Sequence, residues 1–447
     1  MLNNTGQALP KTRRGLHHAA GEHWVAAAAI LRRYWAPFLV AVSLNGFFVY
    51  LLVLDWLSVR PRTPLTAAYY AALGAMLAVA AWNFRGRLHE RVRSGNRTVL
   101  VFAASAGGLA VWFLLNVALI SEGSLSRKLA ALLVLSALPT AILAAALEEE
   151  QLAVVGYAIV GLGLAFAAIT IGDALRTESP SARLSPIAEL NPISAAETAA
   201  MSAVAAFALA FPAGRFRAGV LACAGLLAGV SIVPAGRGPV VALIVAVVVM
   251  AFADRSRQAA IAMSVLAFGI AGGAAAASQV GSFGYFENSL SGFTGDATPT
   301  REDVSSISIS SISIRRQWLE KAIRDTPERP LFGHGVGMLV DDTPEAEVMG
   351  VAGQRVYPHN VLVEAAYSLG ALGLVLLLAF MATTFRAAAA LARGSPSAGE
   401  RLVVGLLAFA VANGMVSGEI GADAILWTTA LVAVALYADR RSTASER

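Results

Sequence analysis

Three short segments of this 447-residue chain carry residue types whose spacing suits chemistry on an anion. The first is Pro234-Ala235-Gly236-Arg237-Gly238-Pro239, a single arginine in a turn between two apolar runs. Glycines let backbone approach a ligand closely, and guanidinium is a planar fork that matches phosphate oxygens. An arginine snorkelling to lipid headgroups would leave the same pattern. The second is Arg315-Arg316-Gln317-Trp318-Leu319-Glu320-Lys321-Ala322-Ile323. Trp318, Leu319, Ala322 and Ile323 recur at helical spacing, which predicts an amphipathic helix with one apolar stripe. Arg315 and Arg316 then fall in its first turn, where the helix N-terminus favours an anion. A solvated helix face is the plainer alternative. The preceding Ser305–Ile314 alternates serine and isoleucine imperfectly, and reads either as a short strand or as an amphipathic strip on a bilayer.

The third segment, Tyr357-Pro358-His359-Asn360, opens an apolar run over 359–382. Proline suits a helix start, which puts His359 in the first helical turn. The helix dipole disfavours imidazolium there, and a neutral histidine can take a proton from an attacking hydroxyl. The plainer reading is an interfacial histidine with no chemistry. His334, in Gly333-His334-Gly335-Val336-Gly337, is the rival, although its glycine turn favours a role in shape. His334, Asn360 and Glu364 stand as candidate supporting residues. The remaining histidines, His17, His18, His23 and His89, read as solvated. No phosphate-cradling glycine loop, zinc-spaced histidine pair or magnesium-holding aspartate pair is visible. The site therefore calls for neither metal nor cofactor, and a donor activated by cytoplasmic nucleotides is disfavoured. Nucleic-acid binding has only net charge behind it.

The elements that position these residues follow from composition. The chain is 57% hydrophobic and 14% charged, with a mean hydropathy of +0.65. Soluble domains run about 45–50% apolar and about 25% charged, so a purely cytosolic enzyme is excluded, and so is low-complexity disorder. The fold class is an all-α polytopic membrane protein. A crossing needs about 20 apolar residues. Twelve candidate spans are readable, at roughly 36–57, 65–83, 98–120, 127–147, 151–171, 193–212, 217–234, 239–253, 258–277, 359–382, 401–417 and 420–438. The short apolar stretch Trp24–Leu31 cannot span, and it reads as part of a retained tail. The lone Cys223 excludes disulfides and cysteine metal clusters.

Counting spans sorts the loops onto two sides. Arg13, Arg14, Arg32 and Arg33, five arginines between Arg85 and Arg97, Arg215, Arg217, Arg255, Arg257, Arg386, Arg393, Arg440 and Arg441 share one side. The positive-inside rule makes that side cytoplasmic, with both termini inside. Of the 34 basic residues only Lys11, Lys128 and Lys321 are lysine, which base composition alone could produce. The organisation is a cytoplasmic basic tail over 1–35, nine spans over 36–277, a large outer loop over 278–358 carrying site residues, and three spans with a short cytoplasmic tail over 359–447. Loops longer than about 12–15 residues are usually functional or disordered; tryptophan and glycine punctuation predict that this one is largely ordered. Glu197, Glu364, Glu419 and Asp423 lie near the outer face. Mid-membrane charge, expected of a proton-coupled transporter, is almost absent. An anionic, lipid-embedded substrate handled at the outer leaflet fits these features.

At these residues the chain resembles the O-antigen ligase and polymerase superfamily of bacterial membrane glycosyltransferases. The likeness runs from about Leu190 to Leu376. It rests on Leu190-Asn191-Pro192, the Gly-Arg-Gly-Pro turn, Arg315 with the Lys321-Ala322-Ile323 helix, Pro330-Leu331-Phe332-Gly333-His334-Gly335-Val336-Gly337, and His359-Asn360 followed by Gly370-Ala371-Leu372-Gly373. The resemblance implies about twelve helices with a large periplasmic loop, in the bacterial inner membrane. It implies an undecaprenyl-diphosphate-linked glycan donor, a glycan or lipid A-core acceptor and a metal-independent inverting transfer. By motif, Arg237 and Arg315 would hold the diphosphate, with Arg316 one step away as the alternative, and His359 would be the base. The long outer loop leans this towards an O-antigen or exopolysaccharide polymerase over a ligase; a protein acceptor is a third choice. A lipid-linked-oligosaccharide flippase is the rival outside the enzyme class.

Overall fold

The computed structural model describes residues 33–56, 63–83, 85–93, 97–176, 192–210, 214–234, 236–254, 257–279, 307–342, 353–393, 396–416, 420–421 and 423–445. Most of the basic tail with Trp24–Leu31, most of the 172–192 loop, Glu419, and 280–306 and 343–352 of the long outer loop lie outside the described residues.

The described chain is helical almost throughout, because lipid cannot satisfy backbone polar groups and a helix satisfies them within the segment. The helices are α1 (33–44), then α2 (Gly46–Trp56), α3 (Thr63–Asn83), α4 (Arg85–Arg93), α5 (Arg97–Leu119), α6 (Ser124–Leu132), α7 (Leu138–Ala145) and α8 (Glu149–Arg176). They continue with α9 (Pro192–Ala210), α10 (Arg217–Val230), α11 (Arg237–Asp254), α12 (Arg257–Gln279), α13 (Ile307–Asp325), α14 (Val361–Ala392), α15 (Ala398–Gly414) and α16 (Ala424–Ser445). Each expected span overlaps helix, although the helix over 217–234 ends at Val230 and that over 420–438 starts at Ala424. Among the described residues, seven stretches are long and apolar enough to cross a membrane, against the twelve expected; one is the composite Ser124–Ala145, where a π-helical turn joins α6 to α7. The α14 span is longer than expected and runs on to Ala392. The only strands among the described residues are β1 (Leu339–Val340) and β2 (Arg355–Val356), an antiparallel pair in the outer segment.

Small residues set the packing. Without a hydrophobic drive between helices in lipid, close backbone approach supplies the attraction. Helix α9 is the most enclosed span, with Ala195, Ala196, Ala199, Ala200, Ala203 and Ala206 fully buried, and α8, α10, α11 and α15 surround it. Helices α10 and α12 cross where Gly225 and Gly229 face Gly269 and Gly273; a Cβ on Gly269 would lie 2.5 Å from the Gly225 carbonyl. Large apolar side chains elsewhere stay outside, such as Trp82, Phe252, Phe268 and Val375, as a lipid-facing surface requires.

Short turns alternate the direction of α9, α10, α11 and α12, so the first residues of α9 and α11 share one end of the bundle. That end also holds the start of α14 and the end of α15. The Asn360 Nδ2 donates to the Met415 carbonyl at 3.2 Å, and the Asn413 Nδ2 donates to Glu197 Oε1 at 3.2 Å.

Candidate active site

The site is built around a break in a membrane helix. Gly370 sits inside α14 at φ 69° and ψ −168°, a region essentially restricted to glycine. The break strips intrahelical donors from the carbonyls before it, and in a membrane these must be matched by protein. They are. The His334 amide donates to the Tyr367 carbonyl at 2.8 Å, the Gly335 amide to Ser368 at 3.1 Å and Trp112 Nε1 to Leu369 at 2.9 Å. The Ala371 amide, freed on the other side, donates to the Pro330 carbonyl at 2.8 Å. The Pro330–Gly337 segment is thus a plug inserted into α14. Gly333, at φ 75°, packs so tightly against Ser368 and Gly370 that any Cβ would collide with backbone.

Asn116 of α5, fully buried, locks the plug. Its Nδ2 donates to the carbonyls of Phe332 and Ser368 at 3.1 Å each, and its Oδ1 accepts from the Val336 amide at 3.0 Å. His334 clasps α13 to α14: its Nε2 lies 2.8 Å from the Asp325 carbonyl and its ring stacks on Tyr367 at 4.6 Å. A bond to a carbonyl requires the Nε2–H form, so this nitrogen is committed to holding the plug. The expected shape role of His334 matches this geometry.

The plug and α13 together set the head of α14. Asn360 is its N-cap, accepting from the amides of Leu362 and Val363 at 3.1 Å each. His359 therefore precedes the helix and does not lie in its first turn as the proline spacing predicted. It takes φ 55°, an uncommon backbone for a non-glycine residue. Glu364, one turn on, is buried and accepts from the Ile420 amide at 3.1 Å, tying α14 to the turn before α16. Beside it, Gly414 packs between Val361 and Asp423.

The His359 ring is held by aromatic faces, with Trp318 stacked at 5.6 Å and Tyr357 tilted at 4.2 Å. His359 Nδ1 and Trp318 Nε1 are buried without hydrogen-bond partners among the described residues. Buried polar atoms of this kind are rare enough to need a reason. Burial pushes the imidazole pKa down, and the nearby Arg315 guanidinium pushes it further, to about 3. Burial and Arg315 favour the neutral ring here, where the sequence argument invoked the helix dipole.

The placement of the arginines also differs from expectation. Helix α13 begins at Ile307, so the serine–isoleucine stretch is helical from there and Arg315 and Arg316 lie two turns in. No helix N-terminus adds to their potential. Consecutive helical residues point about 100° apart, and the two separate accordingly. Arg315 is half-buried and close enough to His359 to depress its pKa. Arg316 is exposed and pairs with Glu320, Nε to Oε1, at 2.7 Å. Lys321 anchors the same helix through Asp342 and, at 3.9 Å, Asp325. Arg237 is the first residue of α11, half-buried, at the end of the bundle that holds His359.

Sequence reasoning missed Asn116, Trp112 and the Trp318–Tyr357 clamp. A lone asparagine inside the apolar run 98–120 was the available signal, since polar side chains in a span seek partners on other helices.

These features define a polytopic helical membrane protein with a cationic, aromatic-lined site at one end of the bundle, organised by a broken helix. Residues 220–378 match the family model described as O-Antigen ligase, so this segment is similar to that family, in line with the resemblance read from the sequence. The matched segment contains Arg237, Arg315, Arg316, His334, His359, Asn360, Glu364 and Gly370. No curated protein matches the chain.

Proposed function

We propose that the protein is a glycosyltransferase of the bacterial inner membrane that moves glycan from undecaprenyl diphosphate to an acceptor hydroxyl at the periplasmic face. In this reading the chain crosses the membrane twelve times with both termini in the cytoplasm, and the reaction inverts the anomeric centre without a metal. The observation that carries the reading is the Arg315 guanidinium close to His359, whose Nδ1 is buried with no partner among the described residues and whose ring burial and Arg315 favour as neutral. A cation beside an uncharged base suits a reaction that needs an anion held and a proton removed.

In this reading Arg237 and Arg315 hold the diphosphate of the donor. The acceptor oxygen attacks the anomeric carbon as its proton passes to His359. The bond from that carbon to the diphosphate oxygen breaks, and undecaprenyl diphosphate leaves with the electron pair. Arg315 and Arg237 stabilise the charge that grows on it. Asn360 and Glu364 hold the head of α14, and His334 holds the plug, so these three position the base and do not react.

The acceptor is a growing lipid-linked glycan in a polymerase and lipid A-core in a ligase; both use the same donor chemistry. Reconstitution with a lipid-linked donor and each acceptor in turn tests the proposal. A product ladder identifies a polymerase and a single adduct a ligase. Donor crossing the bilayer unchanged would instead make the protein a flippase. The His359→Ala protein should bind donor yet transfer none; full transfer by that variant removes His359 from its role.

A further inference from the structure

At the opposite end of the bundle, a second cationic site forms where α14 and α16 finish. Arg386 and Arg393 come from α14, Arg440 and Arg441 from α16, and the four line one open cavity of about 560 Å³ with Tyr437. Orientation by positive charge explains why arginines lie on this side, but it does not require four of them to converge on one pocket.

Their partners are few. Arg440 is committed: its Nη1 donates to the carbonyls of Ala390 and Leu391 at 3.0 and 3.2 Å, capping the end of α14, and Glu400 lies 3.8 Å away. Asp439, the nearest acid in sequence, is taken by Arg91 at 2.6 Å. Arg441 lies over the Tyr437 ring at 5.5 Å. Among the described residues no carboxylate lies within 4.0 Å of Arg386, Arg393 or Arg441. Among the described residues, the pocket therefore holds three cations without a carboxylate partner.

The surface leading into it is apolar. Leu372, Val375, Leu378 and Phe385 are 43%, 62%, 48% and 44% exposed on α14. Their spacing keeps them on one helical face, which continues into Arg386, Ala389 and Arg393. A ligand with acyl chains for the stripe and a phosphate for the arginines matches both halves. A soluble phosphate would use only the second. Guanidinium forks suit phosphodiester oxygens, and basic pockets between membrane helices are a known way of holding anionic headgroups.

We propose that this pocket binds the headgroup of an anionic phospholipid in the leaflet opposite the candidate active site. The purified full-length protein, titrated with phosphatidylglycerol, cardiolipin and phosphatidylethanolamine under native mass spectrometry, tests it. The wild type should prefer the two anionic lipids. Arg386→Gln/Arg393→Gln/Arg441→Gln should weaken that binding by about tenfold or more, with Arg440 left in place to keep its cap. Arg85→Gln/Arg97→Gln/Arg215→Gln, which removes equal charge elsewhere on that side, should not. Equal affinity for phosphatidylethanolamine would overturn the proposal, as would unchanged binding in the first variant or an equal loss in the second. Displacement of lipid by millimolar inorganic phosphate would make this a soluble-anion site and also overturn it. Should the triple variant not fold, Arg393→Gln alone carries the test, with a loss of about twofold or more expected and unchanged affinity refuting.

Discussion

The break at Gly370 makes a prediction whose sign separates two structures. In a continuous helix, replacing glycine by alanine stabilises by about 1 kcal/mol, because glycine carries the larger entropy cost. At φ 69° and ψ −168° the same change does the reverse. The backbone conformation alone costs a side chain about 1–3 kcal/mol. The new methyl would also lie closer than 3.0 Å to the Leu331 carbonyl, which belongs to the plug and has no flexible end to swing aside. Pushing the plug out loosens the bonds from His334, Gly335 and Ala371, each worth about 0.5–1.5 kcal/mol. Gly370→Ala should therefore destabilise by roughly 3–6 kcal/mol. Thermal unfolding of the detergent-solubilised protein, followed by tryptophan fluorescence, reads this directly, since Trp112 donates to the Leu369 carbonyl at the break. Gly161→Ala is the control; a Cβ there meets nothing within 4 Å, so it should be neutral or slightly stabilising. A Gly370→Ala protein that melts at or above the wild-type temperature and keeps full transfer activity would show that α14 is continuous and the plug argument wrong.

Three further outcomes follow. Arg315→Ala should weaken binding of a lipid diphosphate by about tenfold or more, the value of a charged hydrogen bond. Arg316→Ala should change it by less than about threefold, because its exposed pair with Glu320 is worth little; equal losses would undo the distinction between them. Asn116→Leu removes the side-chain donor to the Phe332 carbonyl in a buried setting, and one of the two acceptors of the Val336 amide, which also donates to Ser121 Oγ at 2.7 Å. It should cost at least about 1–3 kcal/mol in thermal unfolding, and a neutral result would mean that the plug is held otherwise. The folded-state pKa of His359 is depressed to about 3. Its neutral form therefore costs nothing above the ordinary value of about 6.5, while below it the unfolded chain binds a proton that the fold refuses. Stability should fall as pH drops from about 6.5 towards 3, and His359→Gln should flatten that decline; parallel melting curves against pH would refute it.

The helices were readable because twenty apolar residues in a row have few other uses, and each expected span overlaps helix among the described residues. His359 stood out as a candidate because a histidine beside proline at the edge of such a run is conspicuous. What the sequence concealed is long-range. The carbonyls released at Gly370 are satisfied from Trp112, Asn116 and His334, and no local pattern announces those partners. The start of α13 was hidden because Ser305–Ile314 fits neither a twofold nor a 3.6-fold period, and β-branched isoleucine pulls the reading towards strand. Placing the helix start at Arg315 then gave that arginine a dipole it does not have. The pocket of arginines was hidden likewise, since Arg386 and Arg440 come from helices whose ends meet only in the fold.

In the proposed reaction, Arg315 and His359 would oppose each other until an anion arrives. Burial and the guanidinium both favour the neutral ring, and burial is the larger cause. A neutral ring can accept a proton, but one whose conjugate acid has a pKa of about 3 accepts it weakly. A diphosphate on Arg315 would cancel the guanidinium's field at the ring and leave burial as the remaining cause. The base would then strengthen on donor binding and stay weak in its absence. Coupled in this way, an acceptor hydroxyl meeting the empty site would not be activated, and water entering without a donor would not be either. The aromatic faces of Trp318 and Tyr357 suit this arrangement, because among the described residues they hold the ring with no carboxylate bonded to it. A carboxylate there would raise the proton affinity permanently and remove the dependence on the donor.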